Sequence, residues 1–249
     1  MIESRYVDPE RRMAHRQRFA PIFHRLHHLF STRGIHAEVY ETIVRRLLEW
    51  SRTGMDWYRF SYRRETDPFR RLCLTILLQR TRAERVDGLY KAIFTRYPTA
   101  KALAEADVDE LTGVLRGIGL YRRKARRLRD LARVVVDRYG GRIPRDEGDL
   151  LSLPGVGRYT ADIVRAICHG EDVLAIDVNV VRPFKRMGLI RSDREAGDVL
   201  LKVIPPGRRS LFSKILLEFG MSVCRPARPR CGECPMGDLC RYPERLPRR

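Results

Sequence analysis

The stretch Asp149-Leu-Leu-Ser-Leu-Pro-Gly-Val-Gly-Arg-Tyr-Thr-Ala-Asp-Ile-Val-Arg-Ala-Ile167 decides how the rest of the chain is read. Two short helical segments flank the turn Leu153-Pro154-Gly155-Val156-Gly157. Gly155 and Gly157 allow backbone dihedrals closed to other residues, so successive amides can point outward where the second helix begins. Such an amide cluster grips a phosphate without reading sequence, and the positive end of the helix dipole adds to the attraction. A mere tight turn between helices would read the same way, so a second signal matters. It lies twenty residues past Gly157, where Ile176-Asp177-Val178-Asn179-Val180-Val181-Arg182 sets one carboxylate inside an apolar run. A buried carboxylate is costly without a partner or a task. Capping of the following helix by Asp177 or Asn179 is the structural alternative.

Outward from this hairpin the chain is a succession of short helical segments broken by Gly and Pro, with no sustained strand alternation. The apolar spacing predicts helices over 72–78, over 85–97 up to Pro98, and over 107–115, the last stopped at Gly117-Ile118-Gly119. Residues 122–139 predict a long basic amphipathic helix ended by Gly140-Gly141 and Pro144. Cys73 and Cys168 lie in apolar helical runs, as core residues do. Phe19, Ile22, Phe23, Leu26, Leu29 and Phe30 predict one more amphipathic helix near the start. His24, His27 and His28 are read there as a solvated face: adjacent residues do not easily face one ion, and no Cys or carboxylate completes a ligand set. The fold class is all-α.

The chain has 249 residues, of which 43% are hydrophobic, enough for one large domain or two modest lobes with a real core. Its 50 Lys and Arg against 31 Asp and Glu give a formal charge of +19, which calls for a polyanion. The basic residues recur along the whole chain, as in Arg122, Arg123, Lys124, Arg126, Arg127 and Arg129, and such a distribution suits a folded surface that follows a phosphate backbone. No run of about 18 uncharged apolar residues occurs, so a membrane span is excluded. The start, Met-Ile-Glu-Ser-Arg-Tyr, lacks the apolar core of a signal peptide, and the expected location is intracellular.

Near the C-terminus, Cys224, Cys231, Cys234 and Cys240 are separated by six, two and five residues, with Pro226, Pro229, Gly232 and Pro235 forcing tight loops between them. Four thiols so close in an intracellular protein read as metal ligands, not disulfides. The spacing leaves a tetrahedral zinc ion and a [4Fe-4S] cluster both open.

Taken together, the glycine hairpin, the aspartate beyond it and the cysteine spacing resemble the helix-hairpin-helix DNA glycosylase superfamily in its iron–sulfur branch, over residues 41 to 242. The segments Gly117-Ile118-Gly119-Leu120-Tyr121 and Leu153-Pro154-Gly155-Val156-Gly157-Arg158 resemble those of the endonuclease III enzymes. The resemblance implies a two-lobed α protein. Residues 70–183 would form a helical-barrel lobe with the hairpin, residues 41–69 and 184–249 a cluster lobe, and residues 1–40 a basic helical extension. It implies a [4Fe-4S] cluster on the four cysteines, with Arg225, Arg228 and Arg230 presented to phosphates. It also implies a monomer that holds double-stranded DNA with a mismatched or damaged base and flips the target nucleotide into the cleft. Gln79 and Leu120 would fill the vacated space, while Gly155, Gly157 and Arg158 grip the backbone. Asp177 matches the catalytic aspartate, stabilising the positive charge that builds on the sugar, and Asn179 its polar neighbour, placing water or backbone.

Two positions speak to the substrate. Bifunctional endonuclease III enzymes carry a nucleophilic lysine where this chain has Tyr159, and a phenol cannot form an imine. Tyrosine there resembles the mismatch-specific thymine/uracil glycosylases, in which the ring lines the base pocket. Thr75 stands where those enzymes and the adenine glycosylases have glutamate, and threonine cannot protonate a departing purine. The chain also stops soon after Cys240, short of the C-terminal domain of adenine glycosylases. The expectation is therefore a monofunctional glycosylase that releases uracil or thymine opposite guanine. The alternatives are an oxidised-pyrimidine glycosylase with weak lyase activity from another amine such as Lys124, an adenine glycosylase, and a non-catalytic damage sensor.

Overall fold

A computed structural model describes residues 37–240 and Tyr242. The amphipathic helix expected over 19–30, with its histidines, lies outside the described residues. Among those described there are eleven α-helices and no strand, as the all-α reading requires.

The first helix, α1 (Ala37–Thr53), leads through two short 3-10 turns at Trp57–Arg59 and Ser61–Arg64 to α2 (Pro68–Leu78). Asp67 caps α2 by accepting from the Arg70 amide at 2.8 Å, and Pro68 takes the first-turn position where its missing N–H costs nothing. Phe69, Leu72, Cys73, Leu74, Ile76 and Leu77 are all buried, so α2 is enclosed on every side and ends at Gln79. Four further helices follow: α3 (Ala83–Arg96), α4 (Ala100–Ala104), α5 (Val108–Val114) and α6 (Tyr121–Tyr139). α6 buries Ala125, Leu128, Leu131, Ala132 and Val135 on one face and exposes Arg122, Arg123 and Arg126 on the other. It begins at Leu120 and is closed by Gly140, both in the left-handed region. The hairpin pair is α7 (Glu147–Ser152) and α8 (Arg158–Cys168); then come α9 (Val178–Met187), α10 (Asp193–Val203) and α11 (Arg209–Ser222).

Apolar packing divides into two cores. The first gathers side chains from Phe60 to Val164, with α2, α6 and α8 at its centre. The second joins Tyr40, Ile43, Val44 and Leu47 of α1 to Leu174, Val180, Phe184, Phe212, Phe219 and Met236. A buried ion pair links the two: Arg63 Nη1 meets Glu218 Oε2 of α11 at 2.6 Å, with the guanidinium 4.4 Å from the centroid of the Trp57 ring. Burying that pair costs several kcal/mol of desolvation per ion, and the close contact, the ring and the Trp57 carbonyl offset it. None of the described helices is long and apolar enough to cross a membrane.

Candidate active site and nucleic-acid interface

The hairpin is built as its sequence suggests. Asp146 caps α7 through the Asp149 amide at 3.1 Å, and Gly155 turns the chain with φ of 82°. Gly157 begins α8 without a side-chain cap, which leaves the first-turn amides to an outside acceptor. Arg158 is exposed, yet its guanidinium is held within the molecule: Nη1 donates to Glu147 Oε1 at 2.5 Å and Nε to Asp162 Oδ2 at 3.1 Å. Burial raises the Asp162 carboxyl above its ordinary range, and Arg158 pulls it back.

Asp177 is the N-cap of α9. Its Oδ1 accepts from the amides of Asn179 at 2.8 Å and Val180 at 3.0 Å, and Oδ2 accepts from Asn179 Nδ2 at 2.7 Å. Both oxygens are thus oriented by one helix turn, and Asn179 fixes the carboxylate rather than standing apart from it. Asn179 is fixed in turn, since Arg182 Nη2 donates to its Oδ1 at 2.9 Å and to the Gly220 carbonyl at 2.6 Å, while Arg182 Nε donates to the Cys224 carbonyl at 2.7 Å. Gly220 on α11 approaches so closely that a Cβ there would collide with the backbone of Asn179. Upstream, buried Ser213 accepts from the Ala175 amide at 2.8 Å and steadies the segment leading into Asp177.

Tyr159, in the first turn of α8, is half-buried. Burial, and then the charge of Asp177, push its phenol well above its ordinary value, so the hydroxyl stays neutral within electrostatic reach of the carboxylate. Thr75 is buried on α2, and its hydroxyl donates to the Arg71 carbonyl at 2.9 Å. That bond occupies its proton within its own helix.

Gln79 and Leu120, far apart in sequence, line one recess together with Arg80, Arg123, Lys124 and Arg127. Gly119 lies against the Arg80 carbonyl, where a Cβ would be 3.5 Å away, and this approach brings the two loops together. Leu120 is 51% exposed with φ of 58°, an apolar tip held outward.

The four cysteines line a second recess, with Arg186 and Tyr242. Arg186 Nη1 approaches Cys224 Sγ at 3.3 Å and donates to the Arg225 carbonyl at 2.7 Å, and its guanidinium is 4.1 Å from the Tyr242 ring centroid. Burial pushes the Cys234 thiol up to about 11, and the charges of Cys224, Cys240 and Cys231 add to that. Burial, and then the charges of Cys224 and Cys240, raise the Cys231 thiol as well, and a group that supplies positive charge would suit both raised thiols. Among the described residues no three His, Cys, Asp or Glu converge as ligands of one metal ion. The cysteines surround a space; they do not meet at a point.

The HhH-GPD family, described as "HhH-GPD superfamily base excision DNA repair protein", matches residues 73–206. The chain belongs to this superfamily. It is 38% identical to the endonuclease III of Thermotoga maritima over 181 residues, covering 72% of this chain and 85% of that one. It is 33% identical to the thymine/uracil-DNA glycosylase of Methanothermobacter thermautotrophicus over 192 residues, covering 75% and 87%. A solved non-covalent endonuclease III–DNA complex superposes with a TM-score of 0.75 at 32% identity, covering 83% of this chain and 97% of that chain. The protein is a base-excision DNA glycosylase.

As an HhH-GPD glycosylase, the chain carries Thr75, Gln79, Leu120, the hairpin, Asp177 and Asn179 inside the matched segment, and its four cysteines beyond it. Sequence reasoning passed over three residues of the site: Arg182, Ser213 and Gly220. Arg182 was in plain view within the Asp177 motif, but its partners are residues 38 and 42 positions away. Nothing local marks Ser213 or Gly220.

Proposed function

We propose that this glycosylase is monofunctional and hydrolyses the N-glycosidic bond of uracil or thymine mispaired with guanine. The observation that carries the reading is Tyr159, a neutral phenol and not an amine, within electrostatic reach of a carboxylate that Asn179 holds in place. As the bond to the flipped base breaks, positive charge grows on the sugar and Asp177 stabilises it. Water adds its oxygen to the anomeric carbon and gives up a proton, and the pyrimidine leaves with the bonding pair as a delocalised anion that is then protonated. The Thr75 hydroxyl, engaged with the Arg71 carbonyl, gives a departing adenine no acid.

The four cysteines would hold a [4Fe-4S] cluster. The spacing by itself also suits one zinc ion, and the resemblance of the cysteine loop to the iron–sulfur branch supports the cluster. When bound, the cluster would supply positive charge and a fixed frame for the loop; excision is carried by the residues around Asp177. A second reading, an oxidised-pyrimidine glycosylase with lyase activity, draws on Lys124, whose buried amine is lowered to about 8. Its bond to the Leu77 carbonyl at 2.7 Å weighs against its acting as a nucleophile.

The deciding assay uses duplexes containing G:U, G:T, A:8-oxoguanine and oxidised pyrimidines, with and without alkali. Release of uracil or thymine, with strand scission only after alkali, is expected. Spontaneous nicking with a borohydride-trapped complex overturns the monofunctional assignment.

A further inference from the structure

Arg158 opens α8 at the end of the hairpin whose first-turn amides have no side-chain cap, and its own side chain is 68% exposed. It is nevertheless engaged. Glu147, in the first turn of α7, accepts from Arg158 Nη1 on Oε1 at 2.5 Å and from Arg165 Nη1 on Oε2 at 2.6 Å, so one carboxylate bridges two arginines of α8. Asp162 Oδ2 accepts from Arg158 Nε at 3.1 Å, and Glu171 Oε2 accepts from Arg165 Nε at 2.7 Å. Three carboxylates thus share two guanidinium groups. In a chain of charge +19, this corner of the hairpin is left with an excess of negative charge, where a grip on a polyanion calls for the opposite.

The two arginines are not equivalent. Arg165 is largely buried and reaches all three carboxylates, with Nη1 also 3.5 Å from Asp162 Oδ1. Arg158 lies in water. If its guanidinium swings away, Arg165 still faces the nearly buried Asp162, which would otherwise be left as a costly uncompensated charge. Releasing Arg158 therefore breaks only contacts that water reaches, and such pairs are weak. A phosphate oxygen accepts from a guanidinium as a carboxylate oxygen does. A backbone phosphate arriving at the start of α8 competes with Glu147 for the same group.

We propose that Glu147 is a built-in counter-anion of the hairpin: it holds Arg158 in the free protein and yields it to a backbone phosphate in the complex. Each binding event then exchanges an internal ion pair for a DNA contact, and the grip is weaker than the arginine alone would make it. The inference rests on the glycosylase reading above, in which the hairpin lies along the duplex backbone. The structural alternative is a negative charge that merely favours the first turn of α7, and it makes no link between Glu147 and Arg158 in DNA affinity.

A double-mutant cycle tests that link. The full-length protein, Glu147→Gln, Arg158→Met and the double variant are titrated by fluorescence anisotropy, at several salt concentrations, against a duplex that carries no target base. Glu147→Gln is expected to bind about two- to fivefold more tightly. Arg158→Met should bind more weakly, with a salt slope shallower by about 0.9, and on that background Glu147→Gln should change affinity by less than about 1.5-fold. Thermal melting checks that each variant is folded. Glu147→Asp keeps the charge in α7 but draws it back by one methylene; it repeats the comparison and should gain affinity in the same Arg158-dependent way by a smaller factor. A gain of equal size with and without Arg158 means that only a repelling charge was removed, and it overturns the proposal. So does the absence of any gain, or an unchanged salt slope in Arg158→Met. If the coupling appears while neither uracil nor thymine is released from guanine mispairs, the target-base reading fails and the counter-anion stands. Release from those mispairs without the coupling gives the reverse.

Discussion

Asp177 caps α9, and in the proposed reaction it also carries the charge facing the sugar; one substitution separates the two, because asparagine caps a helix about as well as aspartate. Asp177→Asn should therefore melt within a degree or two of the unaltered protein, bind mismatched duplex, and lose base release by at least about 10²–10³-fold in single-turnover assays. Lys124 gives a pH signature. Burial lowers its folded-state pKa to about 8, against about 10.4 for an unperturbed lysine, so between those values the unfolded chain binds more protons and stability rises with pH. Relative to Lys124→Met, the melting temperature of the unaltered protein should climb between about pH 8 and 10. A parallel pair of curves would contradict the buried-amine assignment.

At the scale of elements, the contact between α9 and α11 decides whether Asp177 is aimed. Gly220 lets α11 lie against the backbone of Asn179, and Arg182 ties both to the Cys224 carbonyl. Gly220→Ala should cost about 1–3 kcal/mol in denaturant unfolding and lower the single-turnover rate more than duplex affinity. How much of this could be read from sequence depends on where the determinants lie. The hairpin was legible because its glycines, cap and apolar runs are contiguous. The basic helix read over 122–139 is α6 (Tyr121–Tyr139), and the segment read over 85–97 is α3 (Ala83–Arg96). α10 and α11 were not placed, and α11 in particular buries Phe212, Ser213, Ile215, Leu216, Glu218 and Phe219 around most of its circumference, which blurs a helical stripe. Asp177 was visible as a lone carboxylate in an apolar run, whereas the importance of Gly220 exists only in three dimensions.

For the whole molecule, a charge of +19 spread over helices with exposed arginines predicts salt-sensitive binding. Log Kd for an undamaged duplex should change linearly with log salt, each neutralised phosphate contributing a slope of about 0.9. The excision step, measured with bound substrate, should respond far less, because Asp177, Asn179 and Arg182 interact within the fold. Affinity and selectivity are thus carried by different residues. The charged residues would give a sequence-indifferent grip, and the proposed selectivity falls to Thr75, Gln79, Leu120 and Tyr159.

The exposed tip at Leu120 has an evolutionary corollary. A leucine in the left-handed region is disfavoured by about 1–2 kcal/mol, a burden glycine would not carry. Leu120→Gly should raise the melting temperature while slowing base release. Selection for thermal robustness alone would favour glycine here, so a leucine that enters the duplex, as proposed, would be a working part carried at the expense of a sturdier one.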